Sequence, residues 1–446
     1  MSGVIESVQT FVSEPFLGLS RWLTVRTLER RLMRRANAAQ FDACPRSMLY
    51  VAASALPYHT SGYTTRTHEV IRALTSAGAR VHALTRPGYP GDRFDRLSDA
   101  HGDETQVGDV RYLHAGAPAN NRPVLFYALQ AARVIAEQAV RHRVSVIHAA
   151  SNHVNALPAL LAARQLGIPF QYEMRGLWEL TRISRIPEYD GRQGFRQGLQ
   201  LEALVARHAD RLFVISAQLG RLAQQEWGIR AERMFLLPNC VEPERFASIA
   251  RQQPDAVTIG YAGSLMGYEG LDTLIDAVAH LQARGVPVKV NIIGDGESRA
   301  ALEAQVQRLG LTERVRFAGR MSPDKAQETL GHCAIVCIPR KPFKVCEIVP
   351  PIKLVEAMAM GKPVIVPDLP VFRDEMGANP AGWFFNAGDA SHLASVIEAA
   401  LADRSALTAL GAQAKQYATT QRSWRDFVKK ALPDGAGEEL NGWQAD

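Results

Sequence analysis

Sulfur is scarce in this sequence. There are five cysteines in 446 residues, Cys44, Cys240, Cys333, Cys337 and Cys346. None forms a Cys-x-x-Cys pair, so a disulfide framework is not expected and free thiols in a reducing compartment are. Long apolar runs are missing too. No stretch reaches eighteen apolar residues, so no spanning helix is expected. The first residues lack the compact apolar run and small-residue cleavage site of a secretory leader. Metal chemistry leaves no signature either. His and Cys spacings do not fit zinc, no Asp-x-Asp is present to carry a divalent ion, and no Gly-x-x-x-x-Gly-Lys-Ser/Thr loop points to ATP hydrolysis. The expectation is a cytoplasmic protein with no metal and no resident cofactor.

Charge is present but uneven. The net charge is +6. Arg21, Arg26, Arg30, Arg31, Arg34 and Arg35 face Glu29 alone within residues 20–40, so that window holds +5 of the excess. The rest of the chain is close to neutral, which argues against nucleic acid as a partner. Phe11, Val12, Phe16, Leu17, Leu19, Trp22, Leu23, Val25, Leu28 and Leu32 interleave with the arginines. This reads as a basic amphipathic helix. It suits an anionic membrane surface through residues 1–40, and equally a helix packed on the protein's own core with solvated arginines.

The length exceeds one core of ordinary size. From residue 47 onward short apolar runs alternate with helix-period segments. Strands are expected at 48–54, 81–85, 110–114, 144–149, 169–173 and 211–216, with helices at 65–77, 123–142, 155–166 and 195–208. The rhythm then restarts. Strands are expected at 257–263, 288–294, 314–319, 334–339, 363–367 and 382–385, with helices near 270–284, 297–309, 323–331, 351–360 and 389–401. Such alternation predicts an α/β protein of two Rossmann-like, doubly wound parallel-sheet domains. The expected boundaries are a basic segment 1–46, a first domain 47–238, a second domain 239–403, and a closing helix and tail 404–446 that crosses back toward the first domain. Open parallel sheets bind ligands at the carboxyl ends of their strands. Two such sheets facing each other would make a cleft lined by those loops.

Four stretches carry chemistry there. In 349–367, Pro350 and Pro351 sit where a helix begins, and Gly361 and Pro363 end it. Its amide-rich N-terminus suits a diphosphate. Lys353 in the first turn opposes the helix dipole, which an anionic partner explains. Glu356 can accept from two vicinal ribose hydroxyls; a surface Lys353–Glu356 pair at i,i+3 explains the same residues. In 260–277, Gly263, Gly267 and Gly270 make a strand–loop–helix turn that lets backbone approach a phosphate, or an ordinary turn. In 54–74, His59, Gly62, Tyr63 and Arg66 follow a strand. In 146–179, Asn152, His153 and Asn155 follow one strand, and Glu173, Arg175 and Glu179 mark the end of the next. Glu173 and Arg175 read either as substrate contacts or as an ion pair holding a loop.

The stretch EAMAMGKPVIV (356–366) resembles the donor-site helix of glycosyltransferase family 4, in its Pro-x-Lys variant, here Pro351, Ile352 and Lys353. The resemblance spans about residues 47–425. It implies the GT-B fold and metal-independent transfer, with retention, from a UDP- or GDP-linked sugar to a glycan or lipid-linked acceptor in polysaccharide or glycolipid synthesis. By resemblance Glu356 holds the donor ribose. The family's first Glu falls at Ile348, with Glu347 one residue away as the substitute. Where the family often carries Arg and Lys, this chain has Ser264 and Glu269, so Lys353, Arg340, Lys341 or Lys344 is expected to supply the cation. Many members also have His where Arg175 stands. The donor-binding set expected is Gly62, Tyr63, Gly263, Ser264, Arg340, Lys353, Leu354 and Glu356. Acceptor contacts are expected from His59, Asn152 and His153, and catalytic roles for Glu173, Arg175 and Glu347. A nucleotide-sugar 2-epimerase shares the architecture, and the two lost cations also fit a catalytically inactive membrane-associated scaffold.

Overall fold

The computed structural model describes residues 18–34, 41–93, 102–246 and 255–433. Phe11, Val12, Phe16, Leu17 and Arg35 of the expected basic helix lie outside them. The chain divides into two compact units. One comprises Met1–Val214, Gly220–Leu237 and Val428–Asp446, the other Ile215–Leu219 and Pro238–Phe427.

In the first unit, residues 18–32 are helical (α1). The strands are β1 (Ser47–Ala52), β2 (Arg80–Thr85), β3 (Glu104–Val107), β4 (Val110–Leu113), β5 (Val146–Ala150), β6 (Phe170–Met174), β7 (Arg211–Val214) and β8 (Met234–Leu236). The helices are α2 (Gly62–Ser76), α3 (Val124–Arg141), α4 (His153–Leu166), α5 (Trp178–Ile183), α6 (Gln193–His208) and α7 (Ala217–Trp227). The strands form one sheet in the order β3-β4-β2-β1-β5-β6-β7-β8. Pairing is parallel except between β3 and β4. Every residue of β1, β5 and β6 is buried, as a sheet covered on both faces requires. Ser61 opens α2 through a reciprocal capping box with Thr64. Gly167, left-handed at φ 70°, closes α4.

The second unit holds β9 (Asp255–Ala262), β10 (Lys289–Ile293), β11 (Val315–Gly319), β12 (Cys333–Cys337), β13 (Val364–Pro367) and β14 (Gly382–Phe385). Its helices are α8 (Leu271–Ala283), α9 (Arg299–Arg308), α10 (Pro323–Gly331), α11 (Lys344–Ile348), α12 (Ile352–Ala359), α13 (Pro370–Met376), α14 (Ala390–Ala402), α15 (Arg404–Gln421) and α16 (Trp424–Phe427). The sheet order is β11-β10-β9-β12-β13-β14, and all pairs are parallel. Apolar residues of β9, β10 and β12 pack with Leu274, Val278 and Leu281 of α8 in the core. The order reverses between β9 and β12. In a doubly wound sheet that switch point is where a ligand binds, outside the carboxyl ends of the strands.

The single closing helix expected over 404–431 is two helices and a 3-10 turn, broken at Arg422 and Ser423. Its last turn, Val428–Ala431, belongs to the first unit, where Arg211 donates to the carbonyl of Lys430 at 3.0 Å.

Candidate functional site

The switch point of the second unit is built first from backbone. Gly263 follows β9 and Gly294 follows β10. A Cβ on Gly294 would stand 1.9 Å from the Gly263 carbonyl, so only glycine permits this approach of the two loops. Further along, Gly267–Glu269 make one 3-10 turn, and Gly270 takes φ 72°. A Cβ there would meet the Pro339 carbonyl at 1.9 Å. The amide of Lys341 also donates to the Tyr268 carbonyl at 3.0 Å. The loop after β9 is thereby locked against the loop after β12.

This locking brings Glu269 and Arg340 together. Nη2 of Arg340 donates to Oε1 of Glu269 at 2.9 Å and its Nε to Oε2 at 3.3 Å. Lys353, in the first turn of α12, completes the group. Its Nζ donates to Oε2 of Glu269 at 2.8 Å and to the Tyr261 hydroxyl at 2.7 Å. That hydroxyl donates to the carbonyl of Ser264 at 3.0 Å. A Cβ on Gly263 would lie 2.5 Å from Nζ, so the ammonium sits at the carboxyl end of β9. Two cations on one carboxylate leave a net positive charge. Burial alone would push the Glu269 carboxyl up, but Arg340 and Lys353 outweigh it and hold it at about 2. Burial pulls the Lys353 ammonium down, against the opposing pull of Glu269. Lys353 keeps 15% of its side chain exposed, against 10% for Arg340 and 4% for Glu269.

The approach to α12 is equally fixed. The carbonyl of Ile348 accepts from the Ser216 hydroxyl at 2.5 Å, that of Val349 from Arg340 at 2.9 Å, and that of Pro350 from the Asn239 amide at 3.0 Å. Three successive carbonyls are held by side chains from three loops. No side chain caps the N-terminus of α12. Glu356 is half-buried one turn further on, and Leu354 is buried, so any contact by Leu354 would be through backbone. Lys341 pairs with Asp272 at 2.5 Å, and Lys344 with Glu347 at 3.2 Å on the outer face of α11. Glu347 is thus the ion partner of an exposed lysine.

In the first unit the expected site residues fall into two clusters. Glu173, at the end of β6, is sealed. It accepts from Tyr50 Oη at 2.8 Å, Arg66 Nε at 2.9 Å, and Arg175 Nε and Nη2 at 2.9 and 2.8 Å, with His148 Nε2 at 3.4 Å. Its side chain is 1% exposed, and those of Arg66 and Arg175 are 2% and 5%. Burial would raise the Glu173 carboxyl, but Arg175 and Arg66 hold it well below the usual carboxylate range. Arg175 also donates to Thr67 Oγ1 at 2.7 Å and lies over the Tyr63 ring at 4.6 Å. Tyr63 donates to the Ser151 carbonyl at 2.6 Å, and burial pushes its hydroxyl up to about 12. Sequence pattern left Glu173 and Arg175 open between substrate contact and ion pair. In this structure they form an ion pair that joins β1, α2 and β6.

The second cluster surrounds His153. Its amide and Nδ1 meet Glu202 Oε2 at 2.8 and 3.2 Å, and Tyr172 donates to the same carboxylate. His153, expected as an acceptor contact, is thus buried at the start of α4. Asn152 and His59 are partly exposed, and Gly62 opens α2. Sequence reasoning missed Tyr50, His148, Tyr172 and Glu202, all on apolar or helical runs with no local signal. It treated Glu269 only as a missing cation.

Comparison with known proteins follows the same division. A family model described as Glycosyl transferase 4-like domain matches residues 61–240, and one described as Glycosyl transferases group 1 matches residues 244–417. A phosphatidyl-myo-inositol mannosyltransferase of Mycobacterium leprae is 30% identical over 33% of this chain and 38% of its own. The chain aligns with about half the length of the curated relatives it matches. Among solved structures, sucrose-phosphate synthase from Thermosynechococcus elongatus has a TM-score of 0.69 at 19% identity, covering 86% of this chain and 97% of its own. The Anabaena protein HepE in complex with UDP-glucose has a TM-score of 0.61 at 20% identity, covering 86% and 99%. One glycosyl transferase family model thus matches each half of the chain, and its two doubly wound parallel sheets have the GT-B fold of the solved neighbours.

Proposed function

We propose that this protein transfers a sugar from a UDP- or GDP-linked donor to a glycan or lipid-linked acceptor in polysaccharide or glycolipid assembly, with retention of anomeric configuration and without a metal ion. One observation carries the reading. The ammonium of Lys353, held by Glu269 and Tyr261, sits at the carboxyl end of β9 beside Gly263, at the switch point of the second sheet. An anion belongs there. The uncapped N-terminus of α12 adds backbone N–H groups and the positive end of its dipole.

Lys353 and the α12 amides bind the diphosphate, Arg340 stands behind them, and Glu356 takes the ribose hydroxyls. Transfer leaves negative charge on the departing phosphate. Fixed N–H donors and a lysine stabilise that charge without reorganising. The loops after β1 and β5 in the first unit, with His59 and Asn152, take the acceptor. HepE, solved with UDP-glucose, and the inositol-lipid mannosyltransferase relative support the donor and acceptor classes. The exposed Leu19, Trp22 and Leu23 of α1, beside its arginines, support peripheral attachment to an anionic membrane face. No described helix is long and apolar enough to cross a membrane.

Lys353→Ala should lower turnover by about tenfold or more while the protein stays folded. Near-normal turnover removes Lys353 from the site. Assay with donor alone separates the rivals. A freed, epimerised nucleotide sugar would indicate a 2-epimerase, and no binding of any nucleoside diphosphate would indicate an inactive scaffold.

A further inference from the structure

A glutamate beside a diphosphate should repel it, yet Glu269 occupies the switch point of the second unit, 3% exposed. Its geometry explains this. Each carboxylate oxygen accepts from a cation, Oε1 from Arg340 and Oε2 from both Arg340 and Lys353. The backbone fixes it there, because Gly270 admits no Cβ against Pro339 and Lys341 is tied to Tyr268. An ammonium has three donors. Glu269 and Tyr261 take two and leave the third on the most exposed member of the group.

We infer that Glu269 is a positioning residue: its carboxylate anchors the ammonium of Lys353 at the carboxyl end of β9, so that the lysine of α12 delivers the cation which the loop itself lacks. The inference rests on the donor-site reading above. It reverses the meaning of the residue, from a lost phosphate contact to the support of a relocated one. Glu269 also opposes the loss of Lys353's proton, since burial and Arg340 both favour the neutral amine.

A double-mutant cycle with Glu269→Gln and Lys353→Met, read by steady-state kinetics against pH, tests this. Glu269→Gln alone should raise KM for the nucleotide sugar or lower kcat by about tenfold. It should also move the basic limb of kcat/KM about one pH unit lower, because the unsupported ammonium deprotonates earlier; a purely structural defect leaves that limb in place. In the Lys353→Met background the same change should cost less than about twofold. Should Glu269→Gln not fold, Glu269→Asp enters the same cycle, withdrawing the charge by one methylene. Equal losses in both backgrounds, or an unmoved basic limb, overturn the inference. Near-normal activity of Lys353→Met alone instead overturns the donor-site reading, so the two failures are distinguishable.

Discussion

A carboxylate with two arginines on it can grip a substrate or hold a core, and burial decides between them. Glu173 is sealed by Tyr50, Arg66, Arg175 and His148. Removing its charge strands two guanidinium groups that are themselves buried. Glu173→Gln should therefore destabilise the first unit by about 3–5 kcal/mol, measured by denaturant unfolding. The sign of the pH dependence follows. The folded carboxyl is held below its unfolded value of about 4.3, so its stabilisation is complete above that value and fades as pH falls below it. The variant should lose less stability on acidification than the parent. Sequence placed Glu173 and Arg175 at the end of one strand, two residues apart. It could not show Arg66, more than a hundred residues earlier, completing the pair, nor the burial that turns a contact into a support. Lys353 and Glu269 were invisible as partners for the same reason, being 84 residues apart in sequence.

At the scale of elements, legibility followed length and contrast. The long strands and helices were readable because both-face burial makes continuous apolar runs and helix faces keep their period. β3, with sequence ETQV and no buried residue, carries no such contrast. β8 has three residues, α11 has five, between Pro342 and Pro350, and α13 begins at Pro370 right after a strand; each is too short for a period to register. α7 was missed although eleven residues long. In α1 the two readings of the basic helix divide between its faces. Leu28 and Leu32 are buried, while Leu19, Trp22 and Leu23 are about half exposed, with Arg26 over the Trp22 ring at 5.5 Å. Substituting Trp22→Ser and Leu23→Ser together should release the protein from vesicles containing anionic lipid, in a sedimentation assay, without changing its thermal unfolding. Undiminished sedimentation would dismiss α1 as the contact. This pair is a cleaner probe than deleting residues 1–40, which would also strip Leu28 and Leu32 from the core.

At the scale of the molecule, each unit gathers a charged cluster at one of its strand ends, Glu173 in the first and Glu269 with Lys353 in the second, but with different outcomes. The first unit seals its carboxylate among two arginines and a tyrosine. The second leaves the lysine of its cluster partly open, next to an uncapped helix N-terminus. That asymmetry is the ground for proposing the second unit as the nucleotide site. The fold was legible because strand–helix alternation repeats twice. Of the candidate site, only the backbone turns at Pro350, Pro351, Gly361 and Gly263 were legible, because local signals suffice for them. Its charge arrangement depends on which loops the sheet order brings together. Calorimetric titration of UDP and of GDP into the parent protein and Lys353→Met tests the assignment most directly. One nucleotide should bind the parent, and its affinity should fall about tenfold or more in the folded variant; equal affinity for parent and variant would contradict it.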